Sequence, residues 1–150
     1  MLSATATKKS GNLKLSKNTL WLDRALFVSP YYYRLCLTDA EFQKELKYLK
    51  VPRKDWPNFL GSATANATIH FFESPTDGLS AIICITVGKQ HNLEQVYAML
   101  VHEAVHLFQE IKLCTGEAKP SVEFEAYAIQ TLSQRLMESY KEQTSKKGKK

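Results

Sequence analysis

Residues 100–110 read LVHEAVHLFQE, and the fold turns on what kind of element holds them. Apolar side chains recur at Val96, Tyr97, Leu100, Val101, Ala104, Val105, Phe108 and Ile111, a density that predicts a helix packed inside a domain. The polar exceptions gather at His102, Glu103, His106 and Gln109. Residues four apart share a helix face with Cβ atoms about 5–6 Å apart, so His102 and His106 can reach one metal ion. Zinc takes neutral imidazole nitrogens, and a catalytic site keeps one position open for water. Glu103 lies about 100° around the helix from His102, beside such an ion, where a carboxylate can take a proton from that water. The bland alternatives are a surface helix that carries two unrelated histidines and a satisfied core histidine pair. Ionisable groups on a buried helix need partners to offset desolvation, and a metal is one such partner.

A catalytic zinc site needs a third protein ligand. The segment VEFEAYAIQ (residues 122–130) offers two carboxylates. Glu125 begins the helical series Glu125, Ile129, Leu132, Leu136, which predicts a core-facing position, whereas Glu123 falls off that stripe. Face geometry therefore favours Glu125, with Glu123 facing solvent or supporting a ligand from behind. His70 and His91 are further candidates, on a strand and a turn respectively.

Outward from the histidine helix, Asn92 and Gln95 form the pattern of a capping box, so the helix is expected from there through Ile111. Gly116 and Pro120 break it, and a last helix is expected from Pro120 or Ser121 to near Tyr140. Upstream, ATIHFFES and LSAIICITV are rich in β-branched and aromatic residues and are joined by PTDG, which predicts an antiparallel hairpin. Before them, Thr38 or Asp39 caps a helix carrying Phe42, Leu46 and Leu49 and ending before Pro52. The predicted order is helix, two strands, helix, helix. The fold class is α+β, with a small antiparallel sheet packed on the histidine helix and a glutamate-bearing helix after it.

At 150 residues, with 44% hydrophobic and 23% charged side chains, the chain suits one globular domain and neither disorder nor a membrane protein. No signal-peptide apolar run and no stretch of about 18 apolar residues is present, so a cytoplasmic protein is expected. The three cysteines, Cys36, Cys84 and Cys114, are widely spaced, which argues against a disulfide framework and a thiolate zinc site. Much of the +5 net charge sits at the ends, in Lys8, Lys9, Lys14 and Lys17 and in KKGKK at residues 146–150. Residues 1–18 and 142–150 are read as solvated basic tails around a single domain at 19–141, with weak attraction to nucleic acid as the minor reading.

With HEAVH (His102, Glu103, His106) and, after eighteen intervening residues, Glu125 directly before an alanine, the chain resembles the zincin metallopeptidases of the gluzincin type. The run EFEAY (residues 123–127) is similar to a segment of small phage-encoded metallopeptidase-like proteins, and the likeness covers roughly residues 65–140. It departs from thermolysin-like members at Ile129, where they carry an acid, and it lacks the third histidine of metzincins. The resemblance implies a zincin-like core with Zn2+ held by His102, His106 and Glu125. It further implies Glu103 as catalytic base, a peptide or protein substrate aligned on a strand edge, and a host cytoplasm. Tyr127, Tyr140, His91 and His70 are the candidate donors to the reaction's oxyanion. Two other classes stay open: a non-catalytic zinc module closed by His91 or Glu123, and a nucleic-acid-associated basic protein.

Overall fold

Strand β3 (Gly78–Ile85) is buried on both faces over its last five residues, and the rest of the fold is arranged around it. The computed structural model describes residues 29–75 and 78–147. Before β3 come β1 (Tyr31–Cys36), α1 (Asp39–Tyr48), a short 3-10 turn (Arg53–Asp55) and β2 (Ala67–Ser74); after it come α2 (Leu93–Thr115) and α3 (Val122–Lys147). The protein is α+β. The strand order is β1-β3-β2, with β1 parallel and β2 antiparallel to β3.

The alternation of side chains along β3 explains its near-continuous apolar sequence. Ala81, Ile83 and Ile85 join Leu100, Ala104, Leu107 and Phe108 of α2 and Ala128, Leu132 and Leu136 of α3 in one core. Ile82 and Cys84 face the other way and pack with Cys36 and with Phe42 and Leu46 of α1. All three cysteines are free, and burial pushes the Cys36 thiol up to about 11, so it behaves as packing.

Helix ends follow local chemistry. Thr38 Oγ1 accepts from the Glu41 amide at 3.2 Å and starts α1. At α2 both halves of the capping box form, with Asn92 Oδ1 accepting from the Gln95 amide at 2.8 Å and Gln95 Oε1 from the Asn92 amide at 2.9 Å. Gly116 closes α2 at φ 72, the left-handed conformation that glycine adopts without strain.

Three expectations are corrected. The sheet is a mixed one of three strands rather than an antiparallel pair, because YYYRLC forms β1 alongside β3. Helix α2 runs past Ile111 to Thr115 and stops at the glycine. Helix α3 runs past Tyr140 to Lys147, so residues 142–147 are helix rather than tail, and Gln143 Nε2 donates to the Leu35 carbonyl at 3.0 Å to clasp β1. The expected N-terminal tail, residues 1–18, and residues 148–150 lie outside the described residues. No helix among the described residues is long and apolar enough to cross a membrane.

Candidate metal centre

Helix α2 lies with one flank against the core and the other open, and His102, His106 and Gln109 occupy the open side. His102 Nε2 and His106 Nε2 converge to 3.0 Å. On the ring's other side, His106 Nδ1 meets Gln109 Oε1 at 3.1 Å. With the amide oxygen accepting, His106 carries its proton on Nδ1 and presents a lone pair at Nε2, the form that ligates metal. His102 Nε2–H then donates across the pair, and a single cation between the two rings would take over both nitrogens.

Glu103, next to His102 on the helix, is buried at 4% exposure. Burial pushes its carboxyl above the ordinary range, against the pull of His102 and His106. A desolvated carboxylate whose proton affinity is raised is suited to taking a proton from a neighbouring water.

Strand β2 forms the facing wall of a groove of about 540 Å³, where Ala67, Ile69 and Phe71 oppose His102, Glu103 and His106. The Thr86 amide donates to the Asn66 carbonyl at 2.8 Å, so this pair, one step beyond the ladder's Ala67 and Ile85, is a hydrogen-bonded one. Antiparallel pairing alternates, which leaves the main-chain N–H and C=O groups of Ala67, Ile69, Phe71 and Glu73 directed away from β3. No further strand pairs with β2 among the described residues. Among the described residues a strand edge with no neighbouring strand thus borders the histidine pair, its Ala67 carbonyl accepting from the Thr68 hydroxyl at 2.7 Å.

The other residues singled out from the sequence fall elsewhere. His70 is on the opposite face of β2, its ring 4.9 Å from that of Phe42 and its Nε2 3.2 Å from the Phe59 carbonyl. His91 Nδ1 accepts from the Gly88 amide at 3.1 Å and closes the turn before α2. Neither lines the groove, nor do Tyr127, which is exposed, and Tyr140, which packs on the main core. Glu123 is exposed and Glu125 half-buried, both in the first turn of α3. Among the described residues no three His, Cys, Asp or Glu side chains come together to hold an ion. The two imidazoles are nitrogen donors of the kind zinc accepts, and among the described residues the set is one protein ligand short of a catalytic zinc site. The sequence pattern did not point to the roles of Gln109, which orients His106, or of Tyr31, whose hydroxyl reaches Glu110 at 3.3 Å across the groove end.

No protein-family model, curated protein or solved structure matches the chain.

Proposed function

We propose that the protein is a zinc-dependent peptidase in which His102 and His106 hold the ion and Glu125, from the first turn of α3, supplies the third ligand. The observation that carries this reading is the 3.0 Å approach of the two Nε2 atoms on the helix that also carries the buried Glu103. A zinc ion held by these residues would supply Lewis acidity towards a peptide carbonyl and towards water. Glu103, buried beside His102 on the same helix, would be the base that accepts a proton from the attacking water and passes it to the leaving amine. Gln109 holds the His106 tautomer. The free edge of β2 aligns an extended peptide through main-chain hydrogen bonds and brings one of its carbonyls over the histidine pair.

The test is cleavage of a pool of internally quenched peptides by zinc-loaded protein and by Glu103→Gln. The wild type is expected to cut, and the variant to be slower by on the order of 10²–10⁴-fold, the usual contribution of a general base. No cleavage by the zinc-loaded wild type, or equal cleavage by the variant, would contradict the proposal.

A further inference from the structure

Glu110 stands one turn beyond His106 and lines the same groove as the histidines and Glu103. Its Oε1 accepts from the Tyr31 hydroxyl at 3.3 Å. Tyr31 is itself buried and meets Phe71 edge to face at 5.5 Å, so the carboxylate is held by a fixed donor rather than swinging free. Apolar surface flanks it: Phe71 is 38% exposed on β2 and Leu113 is 76% exposed on α2.

The carboxylate has no cationic partner among the described residues. Lys112, the nearest lysine on the helix, places its Nζ over the Phe108 ring at 5.6 Å. The ion pair Arg34–Glu45 lies between β1 and α1, on the other side of the sheet. A half-buried anion between two apolar walls, facing an edge that can hold a peptide, is complementary to a long side chain with an aliphatic stem and a positive end.

We infer that Glu110 selects a lysine or arginine of the bound peptide, with the stem lying along Phe71 and Leu113 and the cation meeting the carboxylate. Distance fixes the position. Glu110 lies about 9 Å along the helix axis from the midpoint of His102 and His106, at about 1.5 Å per residue. An extended chain advances about 3.3 Å per residue, so the basic residue lies two to three positions from the bond at the histidine pair. This rests on the peptidase reading and names its substrate class.

The test is peptide binding, measured by fluorescence anisotropy on full-length, zinc-loaded Glu103→Gln, so that nothing depends on turnover. Alanine-based decapeptides carry lysine, norleucine or glutamate at one scanned position. Lysine is expected to bind on the order of tenfold tighter than norleucine at one position, as a charge-assisted pair in a partly desolvated groove provides. Adding Glu110→Gln is expected to erase that advantage, and Glu110→Lys to reverse it in favour of glutamate, with circular dichroism showing both variants folded. Equal binding of lysine and norleucine at every position, or a lysine advantage that survives Glu110→Gln, overturns the inference. A lysine advantage in a protein whose wild type never cleaves would refute the peptidase and keep the recognition. Cleavage without a lysine advantage would refute the recognition alone.

Discussion

His102 Nε2 stands 3.0 Å from His106 Nε2, and Gln109 Oε1 occupies the far nitrogen of the second ring at 3.1 Å. The ring of His106 thus turns Nε2 to His102 and Nδ1 to Gln109. Gln109→Ala frees the tautomer and the ring, and is expected to weaken zinc binding by about 10–100-fold, the usual effect of losing a ligand's outer partner. Competition against a chromophoric chelator measures it. Unchanged affinity would remove Gln109 from the site.

His70 provides a pH signature on the opposite sheet face. Burial lowers its pKa, and the hydrogen bond to the Phe59 carbonyl opposes the shift only in part. A histidine with a depressed native pKa binds fewer protons folded than unfolded, so its contribution to stability is complete above about pH 6.5 and is lost as pH falls below that. The unfolding free energy of the wild type minus that of His70→Gln is thus expected to shrink from pH 7.5 to pH 5.5 in urea titrations. A constant difference would show that His70 titrates in the folded protein as it does in the unfolded chain.

Gly116 ends the histidine helix at φ 72, with open space where a Cβ would stand. Gly116→Ala meets no clash, so its cost is the left-handed backbone alone, about 1–2 kcal/mol. Urea unfolding should show that loss with the fold intact by circular dichroism, and an unchanged midpoint would mean that the helix end relaxes elsewhere.

Much of this was legible because local chemistry wrote it. The Asn92 and Gln95 capping box forms where the sequence places it, Thr38 is the cap of the two candidates offered, and Gly116 stops α2 after Thr115, past the expected end at Ile111. Pairing of β2 with β3 was legible from two apolar runs around a short loop. Strand β1 was not, because a parallel partner needs no turn and nothing near YYYRLC announces Leu79 as the neighbour of Tyr31. The far end of α3 was missed because its polar composition reads as a tail, while Gln143 donates to the Leu35 carbonyl of β1. On α3, Leu132 and Leu136 face the core as expected, but the stripe continues through Ala128 and half-buried Phe124, which packs against Phe108 with ring centroids at 6.3 Å. Glu125 is thereby turned to the side of that stripe, half-buried rather than in the core. The histidine spacing was legible in full, since a helix fixes what lies four residues apart.

The central claim is that one zinc ion is held by His102, His106 and Glu125 with Glu103 left free for chemistry. Zinc content of the purified protein after dialysis, by elemental analysis beside His102→Ala, His106→Ala, Glu125→Ala and Glu103→Gln, tests it most directly. The account predicts about one zinc per chain in the wild type and in Glu103→Gln, and loss of zinc in the other three, as expected when each ligand of a three-residue site is needed. A wild type that holds no zinc even after loading, or a Glu125→Ala variant that keeps it as tightly as the wild type, would contradict the assignment.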